Sequence, residues 1–156
     1  MQDRKLSAHF TLAELTHSDT AVAHKIDNTP LPEHLHNLET YTVPGLENVR
    51  ELCGNAPVNV HDAYRSPQVN SMVGGTSTSA HPQGFAADID VQGQTPLQTA
   101  RTIAAAMKAG KIKIDQLILE RTPASTVHVS FDPRGRGMMG RQAAGPGTPI
   151  DWDFFA

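Results

Sequence analysis

The chemistry of this chain concentrates in Ser79-Ala80-His81-Pro82-Gln83-Gly84-Phe85-Ala86-Ala87-Asp88-Ile89-Asp90. His81 stands on a loop rich in Ser, Thr and Gly, and Asp88 falls in the strand that follows. A loop imidazole and a strand carboxylate can converge on one cation if the backbone turns between them, which Gly84 permits. A hydrolytic zinc centre takes about three protein ligands and keeps one position open for water. His128, in Thr126-Val127-His128-Val129-Ser130, is the candidate third ligand, because an imidazole has no packing reason to sit in an apolar strand. Taken alone, His-x6-Asp is a weak signal, since most single histidines are surface or hydrogen-bonded groups.

Hydrolysis also needs a base. If a short loop at Pro123 to Ser125 closes the last two strands into a hairpin, Thr122 pairs with Thr126 and Glu120 falls opposite His128. Opposed residues share a face with Cβ atoms ~5 Å apart. The same register gathers Leu117, Leu119, Val127 and Val129 on the core side, and a one-residue slip would undo both groupings. The competing reading of Glu120 is a solvated strand-end carboxylate. Arg65, in Asp62-Ala63-Tyr64-Arg65-Ser66-Pro67, sits at a strand-to-helix junction. There it can stabilise an oxyanion or hold a substrate carboxylate, or else cap the helix or pair with Asp62. His9, His17, His24, His34 and His36 read as ordinary histidines. His34 and His36, two apart on a helix, face different ways. His61 ends a strand just before the loop and stays an open candidate.

The elements that must position these groups are marked by local signals. Thr11-Leu12-Ala13-Glu14 has the form of a capping box, with Phe10 and Leu15 as a hydrophobic staple. Leu31, Leu35, Leu38 and Thr42 recur at helical spacing; Pro44 interrupts, and Leu46, Val49 and Cys53 resume the pattern up to Gly54. Two helical segments with a break or kink are expected. Pro57 to His61 alternates as a strand. Ser66-Pro67 and Thr95-Pro96 are cap-then-proline helix starts, closed by Gly74-Gly75 and Gly110. Ala86 to Val91, Ile114 to Glu120 and Val127 to Phe131 read as strands, and Pro133 to Pro149 as irregular. Ile150 to Phe155, which carries the sole Trp, is expected to dock on the domain. The mixture lacks a βαβ rhythm and predicts an α+β fold, a small mostly antiparallel sheet with flanking helices, as one domain over residues 1–156.

Composition narrows the function classes. The 156 residues carry 13 Lys plus Arg against 16 Asp plus Glu, a net charge of −3. No basic stripe is available for phosphates, so a nucleic-acid partner is not expected. No apolar run approaches the ~20 residues of a membrane span, and no secretory signal is expected in the polar stretch from Met1 to Phe10. One cysteine rules out an internal disulfide and any CxxC knuckle, so a metal here must be held by imidazole and carboxylate.

These pieces resemble the family of zinc D-Ala-D-Ala carboxypeptidases and L-alanyl-D-glutamate endopeptidases, peptidoglycan peptidases of the hedgehog/DD-peptidase fold that include many phage endolysins. The resemblance begins at Phe10-Thr11-Leu12-Ala13-Glu14-Leu15 and Ile26-Asp27-Asn28-Thr29-Pro30. It is strongest from Tyr64-Arg65-Ser66-Pro67-Gln68-Val69-Asn70 to Ser79-x-His81-x-x-Gly84-x-Ala86-x-Asp88, and closes with Asp115 to Glu120 and Val127-His128-Val129-Ser130. It implies His81, Asp88 and His128 as Zn2+ ligands, Arg65 as oxyanion partner and Ser79 beside bound substrate. Two positions depart from the pattern. Thr126 stands where many members carry Trp, and Ser125 where better-known members place the catalytic acid. The most similar subfamily often has a Glu ending the preceding strand, here Glu120.

The implied function is zinc-dependent hydrolysis of an amide in peptidoglycan stem peptides, as a D,D-carboxypeptidase or endopeptidase in endolysin-like lysis. A monomer is expected, made in the cytoplasm and acting at the bacterial cell wall after release by a holin or carriage on a virion. Two alternatives stand beside it: a non-catalytic zinc-containing virion or cell-wall module of the same fold, and an amidohydrolase of other small peptides.

Overall fold

The structure is a computed structural model and describes residues 2–120, 126–145 and 147–156. The first helix, α1 (Leu12–Thr16), starts at the expected capping box: Thr11 accepts from the Glu14 N–H at 3.2 Å, and Glu14 accepts from the Thr11 N–H at 3.3 Å. Next come α2 (Asp19–His24) and α3 (Pro32–Asn37), the latter running through a π-helical turn, Leu38–Thr42, into α4 (Val43–Leu52). The break expected at Pro44 is thus a widened turn. Proline cannot donate to the preceding turn, and the Val43 N–H reaches back to Leu38, five residues away, so the helix continues without interruption.

Strand β1 (Val58–Asp62), helix α5 (Pro67–Met72), strand β2 (Ala86–Val91) and helix α6 (Pro96–Lys108) follow, then β3 (Gln116–Glu120), β4 (Thr126–Ser130) and β5 (Met138–Gln142). The sheet order is β1-β2-β4-β3-β5, antiparallel except for the parallel pair β3 and β5. The α+β reading therefore holds. One face of the sheet presents Ala87, Ile89, Leu117, Val127 and Val129 to α6, with Ala100 and Ile103, and α4, packed against α6, adds Leu46 and Val49 to the same core. The polar alternate positions are left on the opposite face.

Two expectations need correction. The segment Pro133 to Pro149 is not irregular throughout, since β5 forms within it. Met138-Met139-Gly140-Arg141-Gln142 shows no alternation, and each residue pairs with one 22 positions earlier in β3, so no local pattern marks it. The register of β3 and β4 is two residues from the expected one: Glu120 pairs with Thr126, and Ile118 faces His128. A shift of two preserves the faces, so Leu117 and Leu119 still share the core side with Val129 and Val127. The loop expected at Pro123 to Ser125 lies outside the described residues. His61, the open candidate, sits at a bulge described below. The C-terminal segment does dock: Phe155 is buried in the core, its carbonyl accepts from Lys108, and Asp151 bridges to Arg141.

Candidate metal centre and its cleft

The polar face of the sheet lines a cleft of about 770 Å3. His81 enters it from a single 3-10 turn, His81–Gln83, which Gly84 ends at a left-handed φ of 81°. A side chain at Gly84 would also collide with the His34 carbonyl, 2.5 Å from its Cβ, so this turn admits glycine for two reasons. His81 is 2% exposed. Its Nδ1 lies 2.6 Å from the Ala63 carbonyl oxygen, which can only accept, so Nδ1 carries a proton and the nitrogen the neutral ring can offer to a cation is Nε2. That Nε2 is buried with no hydrogen-bond partner among the described residues and lies 3.4 Å from Asp88 Oδ1.

Strand pairing supplies the other two groups. Asp88 of β2 stands directly across from His128 of β4, and His128 Nδ1 lies 3.0 Å from Asp88 Oδ1. The two imidazoles meet edge to face with centroids 5.1 Å apart. One donor atom from each of His81, Asp88 and His128 falls within 4.8 Å of the other two, a spacing that one ion can bridge. The donor set of two nitrogens and one oxygen suits zinc, and the unpartnered Nε2 is the observation that fits a cation here. Three ligands leave a coordination position for water.

The surrounding charges are arranged unequally. Burial alone would raise the Asp88 carboxyl, but His81 and His128 override it and hold the group well below the usual carboxylate range. Burial pushes His128 down despite the pull of Asp88. Glu120 lines the same cleft, and burial followed by the neighbouring Asp88 charge pushes its carboxyl up to about 9. A dication would oppose the Asp88 contribution and favour the carboxylate.

Arg65 Nε lies 2.8 Å from Asp62 Oδ2, and its Nη2 4.0 Å from Asp88 Oδ2. The contact with Asp62 is an ion pair without the alignment of a hydrogen bond. The ion pair expected with Asp62 is present, and the guanidinium also reaches the carboxylate of Asp88, a candidate ligand. Asp62 owes its place to a bulge: Val60 pairs with Ile89, but Asp62, not His61, pairs with Asp88. The extra residue re-aims the strand end. His61 turns instead to Asp90, 2.5 Å away, and stays outside the His-Asp-His cluster. Burial raises Asp62 to about 6, an effect that His81 and Arg65 partly offset. Ser79 lines the cleft and accepts from the His81 N–H at 3.3 Å. Ser125 lies outside the described residues.

The sequence reading missed part of the cleft lining, which includes Arg134, Arg136, Gln142 and Trp152. Nothing in a Gly-, Pro- and Arg-rich stretch signals which side chains turn inward, because their placement depends on β5 docking beside β3.

A family model described as Peptidase M15 matches residues 8–130, which take in all of the candidate ligands, Arg65 and Glu120. No curated protein matches the chain.

Proposed function

From the premise that this chain belongs to the peptidase M15 family, and is therefore a metallopeptidase, we propose that it hydrolyses an amide bond of the peptidoglycan stem peptide. The hedgehog/DD-peptidase fold implied by the family accords with the mostly antiparallel five-stranded sheet. The observation that carries the reading is the convergence of His81, Asp88 and His128 on one point of a cleft large enough for several residues of peptide.

A zinc ion held by these three side chains would supply Lewis acidity, lowering the pKa of its water toward 7 and polarising the scissile carbonyl. Ala63 keeps the His81 ring in the tautomer that offers Nε2. Glu120 accepts a proton from the attacking water and delivers it to the leaving amine, so that water and amide become carboxylic acid and amine. Arg65, steadied by Asp62, donates to the oxygen on which negative charge develops. Ser79 contacts the substrate backbone on the loop side of the cleft.

The peptidase acts at the bacterial cell wall, as an endolysin-like lytic enzyme of phage type, working as a monomer. No described helix is long and apolar enough to cross a membrane. The deciding experiment incubates zinc-loaded protein with purified sacculi and identifies the released fragments by mass spectrometry. New amine and carboxyl termini within the stem peptide are expected, and their position names the bond: D-Ala to D-Ala, D-Ala to a diamino acid, or L-Ala to D-Glu. Intact sacculi, with one zinc bound per chain, would instead indicate a non-catalytic wall-binding module. Cleavage of free dipeptides alone would indicate an amidohydrolase of other peptides.

A further inference from the structure

Residues C-terminal to the family match complete the lining of the cleft, with Arg134 and Arg136 before β5 and Trp152 after it. Both guanidiniums are fixed from behind. Arg136 donates from Nε to Asp115 Oδ1 at 2.9 Å and from Nη2 to Oδ2 at 2.8 Å, and Asp115 is 1% exposed. Arg134 donates from Nε to Asp132 Oδ2 at 3.0 Å, with Nη2 2.9 Å from the same oxygen. A guanidinium has five N–H donors, so these pairings orient the planes without exhausting them. Among the described residues, Nη1 of neither arginine has an acceptor. The arginine side chains are 61% and 39% exposed while both carboxylates are buried, so the cleft meets the cationic member of each pair.

Trp152 reaches the cleft because position 140 has no side chain. A Cβ on Gly140 would lie 2.9 Å from Trp152 Cε3 and 2.7 Å from Ile150 Cγ2. Gly140 also ends a row that runs straight across the sheet, Asp88 to His128 to Ile118 to Gly140. It therefore stands two strand spacings from His128, roughly 10 Å, or about three residues of extended peptide.

We propose that Arg134, Arg136 and Trp152 form a substrate subsite for a carboxylate-bearing peptide segment, with Trp152 at Gly140 standing about three residues from the bond that is cut. The free guanidinium edges take the carboxylate through charge-assisted hydrogen bonds, and the indole covers the adjoining aliphatic chain. Asp62, Asp88 and Glu120 stand close to one another in the same cleft, so a substrate carboxylate is favoured beside the two arginines rather than beside the candidate ligands. The inference rests on reading the cleft as a peptide site.

Trp152 is the only tryptophan, so its emission reports occupancy without turnover. The probes are N-acetylated, C-terminally amidated alanine pentapeptides carrying one glutamate at each position in turn, each paired with its glutamine counterpart. With the full-length, zinc-loaded protein, at least one glutamate peptide is expected to shift the emission with a Kd about tenfold below that of its glutamine counterpart. Arg134→Gln and Arg136→Gln should each shrink that ratio, with thermal melts confirming that both variants fold. Arg134, exposed and remote from the core, keeps the test valid even if Arg136→Gln is unstable. Equal Kd values within every pair, no emission change with any peptide, or a ratio that survives both variants overturns the subsite. Selective binding with no cleavage of any peptide or of sacculi would leave the subsite standing and overturn the hydrolytic reading. Cleavage without selectivity would do the reverse.

Discussion

The carbonyl of Ala63 and Nδ1 of His81 lie 2.6 Å apart, and this contact decides which nitrogen His81 offers to a cation. Ala63 immediately follows β1, so the strand that places Asp62 beside Asp88 also sets the tautomer of the buried imidazole. A ligand oriented from behind in this way binds metal more tightly than a free ring, because it is held in the binding geometry before the ion arrives.

Zinc should bind at one ion per chain, and His81→Ala should lower the affinity by ~100-fold or more. Competition with a chromogenic chelator measures this directly. Wild-type affinity in His81→Ala would remove that residue from the ligand set.

Glu120→Gln should leave zinc affinity unchanged while lowering kcat by about 10²–10⁴-fold. Glutamine matches glutamate in shape but cannot take a proton from water. Full turnover in this variant, followed by mass spectrometry of peptide digests, would assign the base elsewhere.

Arg65→Ala should reduce kcat by about 10²–10³-fold with a smaller change in KM, because its interaction grows with the developing oxyanion. Arg65→Lys should recover part of the rate, as a point charge does part of the work of a planar fork. A change confined to KM would make Arg65 a ground-state binding group.

Asp115 links β3 to the Arg136 turn, and its pH behaviour can be worked out in sign. Burial would raise this carboxyl, but Arg136 outweighs it and holds the folded-state pKa below the ordinary value of 3.8. The unfolded chain therefore takes up protons first, and the stability contributed above pH 3.8 is lost as pH falls through and below that value. Asp115→Asn should cost roughly 2 kcal/mol near neutral pH and flatten the acid limb of Tm against pH. A parallel acid limb in both proteins would show that the ion pair contributes nothing to acid stability.

Much of the fold was legible because its signals are local. Thr11 with Glu14 caps α1 through groups three residues apart, and Ser66-Pro67 and Thr95-Pro96 start α5 and α6 within two residues. The alternation through Leu117, Leu119, Val127 and Val129 fixed the core side of two strands, and it survived a register error because a two-residue shift keeps every side chain on its face. Pro44 was legible as a disturbance but not as a π-helical turn, since the helix could have kinked or stopped with the same residues.

By itself, then, the chain determined the kinds of group available for chemistry: imidazole and carboxylate with a single thiol, a glycine able to turn His81 inward, and the strands that carry Asp88 and His128. Tertiary structure alone decided the bulge that substitutes Asp62 for His61, the arrival of β5 beside β3, and the seating of Trp152 over Gly140. The physical reason is range. Caps, turns and periodicity are energies between neighbours a few residues apart, whereas pairing and docking are won by contacts between segments that only the folded chain brings together.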